Sequence, residues 1–104
     1  MRSLTIAEVA AATGGAIAPG TPEDRRIGSV VVDSRQVVDG CLFVATVGER
    51  VDGHDFAADA VRAGASAVLA DRPLVGNDGE PLLCVVVDDT VAALGRLAAW
   101  YRDE

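Results

Sequence analysis

Three short apolar runs, at 27–32, 41–47 and 82–87, constrain this chain more than any other feature. Each is too short for an ordinary buried helix and is rich in Val, Ile or Leu, which suit a pleated surface packed on both faces. Each also runs into polar residues: Asp33-Ser34-Arg35 after the first, a Gly-bounded loop at 48–53 after the second, and Asp88-Asp89-Thr90 after the third. Strands that deliver polar turns, with a helical pattern following, predict an α/β sheet whose carboxyl edge carries the polar groups.

The helical patterns lie between and around these runs. Thr5-Ile6-Ala7-Glu8 has the form of a capping box, after which Ile6, Val9, Ala10 and Thr13 share one face until Gly14-Gly15 stops the helix. Asp55 is placed to cap a second helix over 56–63, with Phe56, Ala57, Ala60 and Val61 inward and Gly64 at its end. Asp88-Asp89-Thr90 caps a third, with Val91, Leu94, Leu97 and Tyr101 along one stripe. Residues 16–18 and 66–70 read as short strands, the second after a return that predicts a right-handed crossover. Residues 19–22 read as a turn and 23–26 as an exposed loop without function of its own, and 71–81 as a surface loop. Half of the residues are hydrophobic but only four are aromatic, so the core must be aliphatic, as in a sheet covered by Ala-rich helices. The expected architecture is one α/β domain over 1–104, in three layers, with a mixed β-sheet flanked by helices.

Charge and missing residue types exclude several chemistries. Nine arginines against sixteen carboxylates give a net charge of −7, which argues against duplex nucleic acid as a partner. There is no lysine, so a Gly-Lys-Ser/Thr phosphate loop and Schiff-base chemistry are both impossible here. A single histidine rules out a two-histidine zinc motif. No apolar run approaches the roughly 20 residues that span a bilayer, and Glu8 interrupts any leader-like segment, so a soluble, cytoplasmic chain with no membrane partner is expected. Cys41 and Cys84 stand singly in apolar runs and read as reduced core thiols rather than as a disulfide or redox pair.

Two polar features invite function. Asp33-Ser34-Arg35 is either a turn that bonds itself, with Arg35 braced by Asp33 or Asp52, or a ligand-facing group at the end of a strand. His54 has no nucleophile beside it in sequence and reads as a structural, helix-entry residue. Trp100 reads as core or as a contact to a neighbouring domain.

The stretch 33–56, DSRQVVDGCLFVATVGERVDGHDF, resembles the N-terminal domain of the Mur ligases, the ATP-dependent enzymes that build the peptide stem of peptidoglycan. The resemblance runs from Leu4-Thr5-Ile6-Ala7-Glu8 to Leu97-Ala98-Ala99-Trp100-Tyr101-Arg102. Within the family it is greatest to the branch that adds D-alanyl-D-alanine to UDP-N-acetylmuramoyl-tripeptide. The branch adding the third stem residue is the nearer alternative, and a free-standing regulatory or protein-binding module the more distant one. The resemblance implies that 1–104 is the UDP-substrate-binding N-terminal domain, inactive as a ligase alone. The central ATPase domain, its contact partner, and the C-terminal domain would lie outside these residues, and ATP and Mg2+ would belong to the central one. It further implies that Val32, Ser34 and Arg35, together with Glu49, Arg50 and Val51, contact the UDP moiety. In that scheme Ser34 is a hydrogen-bonding residue and Arg50 the local cation near the diphosphate.

Overall fold

The computed structural model describes residues 3–47, 52–76 and 78–103, the side chain of the last excepted. Its elements are β1 (Leu4–Thr5), α1 (Ile6–Thr13), β2 (Ala16–Ile17), β3 (Arg26–Ile27), β4 (Ser29–Val31), β5 (Cys41–Val44), α2 (Ala57–Arg62), β6 (Ala67–Ala70), β7 (Cys84–Val86) and α3 (Thr90–Asp103). Short 3-10 turns at Ser34–Gln36 and Gly53–Phe56 follow β4 and precede α2.

One five-stranded sheet in the order β2-β7-β6-β5-β4 organises the molecule, and β1 and β3 pair as a separate antiparallel ribbon. Strands β4 to β7 are parallel, while β2 joins β7 antiparallel, which makes the sheet mixed as expected. Successive side chains in a strand point to opposite faces, and the core divides accordingly. Leu42, Val44, Ala67, Leu69, Val85 and Val87 pack with Ile6 and Val9 of α1 and Ala93 and Leu97 of α3. Cys41, Phe43, Ala45, Val68, Ala70 and Cys84 pack with Ala57 and Ala60 of α2. The result is three layers around an aliphatic core.

The capping box forms as read: the Thr5 amide donates to Glu8 Oε1 at 3.0 Å, and the Glu8 amide to Thr5 Oγ1 at 3.1 Å. Gly14 ends α1 at φ 73°, a left-handed conformation that costs a side chain strain. Arg96 of α3 donates from Nε to the Thr13 carbonyl at 2.9 Å and so serves the open end of α1, which lacks a basic residue of its own. At α3, Asp89 Oδ1 accepts from the Val91 and Ala92 amides at 2.9 and 3.1 Å.

Four expectations are corrected. The run 27–32 is not one buried strand: it breaks at Gly28, giving Ile27 to the ribbon and Ser29–Val31 to the half-buried edge strand β4. The second helix is not capped by Asp55; Asp52 accepts from the His54 amide at 2.9 Å and starts a 3-10 turn that leads into α2. Phe56, expected inward, is 40% exposed. Val91, expected on the inward stripe of α3, is 61% exposed; Leu97 is buried as expected, Leu94 and Tyr101 pack against the core, and Thr90 and Ala93 are buried beside them. The cysteines are free and buried on β5 and β7. Because β6 separates those strands by about 9–10 Å and the register sets Cys84 opposite Phe43 rather than Cys41, the two lie beyond the roughly 7 Å Cα limit for a disulfide. Burial pushes the Cys84 thiol up in pKa. Among the described residues no helix is long and apolar enough to cross a membrane.

Candidate functional site

Strands β4 and β5 end side by side, and the chain beyond each turns away at the same edge. Between them opens a cavity of about 600 Å³ lined by Val32, Asp33, Ser34, Arg35, Phe43, Thr46, Gly53 and Phe56. The parallel register of Val31 against Phe43 brings the first wall, after β4, opposite the second.

The first wall is a locked turn. Asp33 Oδ1 accepts the Arg35 amide at 2.9 Å, and the Arg35 guanidinium grips the same carboxylate through Nε to Oδ1 at 3.0 Å and Nη2 to Oδ2 at 2.8 Å. These bonds from Arg35 hold the Asp33 carboxyl at about 2, below its ordinary value. Arg35 is itself exposed, so its brace is Asp33 and not Asp52. Between the two, the half-buried Ser34 has no hydrogen-bond partner for its hydroxyl among the described residues. Val32 is 52% exposed at the lip of the cavity.

The second wall depends on close backbone approach. The Gly53 amide donates to the Thr46 carbonyl at 2.7 Å. A Cβ at Gly53 would stand 2.8 Å from both the amide nitrogen and the carbonyl oxygen of Thr46, so only glycine fits without moving backbone. Next to it, His54 is buried and held at both ring nitrogens, and Phe56 then returns to the cavity rim. Asp52 is held well below the usual carboxylate range by hydrogen bonds from the His54 amide and ring and from Arg72.

Of the residues expected at a UDP moiety, the structure brings Val32, Ser34 and Arg35 together on one wall. Glu49, Arg50 and Val51 lie outside the described residues. Phe43, Thr46, Gly53 and Phe56 were not expected there. Phe43 and Thr46 carried a signal, since both sit in or just after the apolar run whose end faces the Asp-Ser-Arg turn.

The family model described as "Mur ligase family, catalytic domain" matches residues 26–102. A UDP-N-acetylmuramoyl-tripeptide–D-alanyl-D-alanine ligase of Mycobacterium tuberculosis is 51% identical over 78 residues, covering 71% of this chain and 15% of that protein. A UDP-N-acetylmuramoyl-L-alanyl-D-glutamate–2,6-diaminopimelate ligase of Oceanobacillus iheyensis is 42% identical over 84 residues, covering 81% of this chain and 17% of that protein. Among solved structures, MurF from Acinetobacter baumannii superposes with a TM-score of 0.85 at 31% identity, over 99% of this chain and 22% of that one. The chain thus spans about a sixth of the length of the curated relatives it matches. With the family model matching most of its length and the three-layer fold shared with a solved relative, the chain belongs to the Mur ligase family.

Proposed function

We propose that residues 1–104 are the N-terminal domain of a ligase that adds D-alanyl-D-alanine to UDP-N-acetylmuramoyl-tripeptide in the cytoplasm, and that the cavity beyond β4 and β5 receives the uridine end. The observation that carries this reading is the Ser34 hydroxyl, set on the cavity wall by a locked turn and without a partner among the described residues. A hydroxyl both donates and accepts, which matches the alternating carbonyl and imide groups of uracil. Phe43 and Phe56 offer apolar surface for the base, and the cavity of about 600 Å³ lies in the usual range for small-ligand sites. Val32 adds apolar contact at the lip, while Arg35 acts through the turn it braces. The remaining contacts are assigned to Glu49, Arg50 and Val51, with Arg50 as the cation near the diphosphate.

The residues of this chain bind and orient; none of them carries out the bond-forming step. In the whole enzyme ATP and Mg2+ would supply the activation of the peptide carboxylate that amide formation needs. This chain's donor set fits neither group: it has no lysine for a phosphate loop, and among the described residues no three His, Cys, Asp or Glu side chains are grouped to hold a metal ion. Both therefore fall to a central domain of the same protein, the partner against which this one packs. The likeness to the diaminopimelate ligase supports a second reading, the same domain in the branch that adds the third stem residue. Supplying the whole ligase with D-alanyl-D-alanine or diaminopimelate separates the two.

The nucleotide reading is tested by titrating the chain with UDP and, in parallel, ADP. The expected result is UDP binding with a Kd near ~1 mM and weaker binding of ADP. Equal affinity for both would remove base recognition from the cavity and favour a protein-binding module.

A further inference from the structure

His54 is the one histidine of the chain, and its ring closes a circuit of polar contacts next to the cavity. The Asp71 amide donates to Nε2 at 3.1 Å. Nδ1 stands 2.6 Å from Asp52 Oδ1, to which it donates. Arg72 completes the circuit, donating from Nη2 to Asp52 Oδ2 at 2.9 Å and from Nη1 to Asp71 Oδ1 at 2.7 Å. That Asp71 oxygen also lies 3.0 Å from Nε2, and Arg72 balances its charge. The His54 side chain is 1% exposed, so the imidazole's own contacts are shielded from water, while the Arg72 pairs are exposed.

The circuit joins two parts of the molecule. Asp71 and Arg72 follow directly on β6, at the carboxyl edge of the sheet and outside the cavity. Asp52 and His54 flank Gly53, which lines the cavity, and Phe56 lines it two residues later. We propose that His54 is a positioning residue for the nucleotide cavity: its imidazole tethers the wall carrying Gly53 and Phe56 to the end of β6, fixing the gap opposite Ser34. This inference rests on the nucleotide reading above and adds a residue that does not itself touch the ligand.

The test is a UDP titration of the wild type and three variants, with the amides of β5, β6 and β7 reporting the fold. His54→Asn keeps a donor near the Nδ1 position, and His54→Gln keeps an acceptor near Nε2; His54→Ala keeps neither. Each end contributes to the tether, so folded Asn and Gln variants bind UDP about fivefold or more weakly than wild type, yet more tightly than the Ala variant. Wild-type affinity in folded Asn and Gln variants overturns the inference and leaves the nucleotide reading standing. A wild type that ignores UDP overturns both. Should the variants unfold, the wild type decides alone: saturating UDP must shift the His54 ring nitrogen resonances, and unmoved resonances overturn the tether.

Discussion

Arg35 grips Asp33 through two parallel contacts, Nε to Oδ1 at 3.0 Å and Nη2 to Oδ2 at 2.8 Å, so the exposed cation that lines the cavity among the described residues is already committed to its own turn. A guanidinium used this way shapes the wall that presents Ser34 rather than meeting a phosphate. Replacing it should therefore weaken uridine and UDP by the same factor. The check is Arg35→Gln titrated with both ligands; a loss confined to UDP would make Arg35 a phosphate contact instead.

The same pair sets a pH dependence. Asp33 has a folded pKa of about 2 against an ordinary value of 3.8, so its contribution to stability is complete above about 4. It is lost as pH falls through about 2, when the carboxyl takes up its proton and releases Arg35. Urea midpoints of wild type and Asp33→Asn should converge between pH 4 and pH 2 and stay a constant distance apart from pH 5 to 8. A gap that persists unchanged at pH 2 contradicts this account of the turn.

Thr21 offers a sharper stability test. Its buried hydroxyl accepts the Cys84 amide at 3.1 Å, completing the bonding of β7 beyond the reach of β2. Thr21→Val conserves shape and strands that amide, which should cost about 1–3 kcal/mol in urea unfolding. A change within error would mean that water replaces the hydroxyl without loss.

How much of this was legible follows from where each signal resides. The Thr5–Glu8 capping box and the buried strand that begins at Cys41 are local, and both were readable. The Asp-Ser-Arg turn was readable too, because a strand end locates it. Thr21 was not: it lies in a stretch with loop composition, and its partner is 63 positions away. The cap was assigned to Asp55 because Asp52 and Asp55 have the same chemistry, and only the position of the His54 amide distinguishes them. The run 27–32 was read as one strand, whereas the pairing of Ile27 with Leu4 makes Gly28 a break. Phe56 followed the helical stripe in sequence, but the 3-10 turn ahead of α2 rotates it onto the cavity rim. Thr21 and the break at Gly28 belong to tertiary pairing that no spacing along the chain encodes, whereas the Asp52 cap and Phe56 belong to one local turn whose residue types do not single it out.

The central claim is that the gap between the Asp-Ser-Arg turn and the Gly53–Phe56 turn holds uridine. The most direct measurement follows backbone amide shifts of wild type and Ser34→Ala through a UDP titration into the millimolar range. The account predicts that Ser34, Arg35, Thr46, Gly53 and Phe56 move together. It also predicts that Ser34→Ala keeps the fold and raises Kd several-fold, the loss of one hydrogen bond worth roughly 0.5–1.5 kcal/mol. Shifts that bypass these residues, or a Ser34→Ala protein that binds UDP as tightly as wild type, would contradict it.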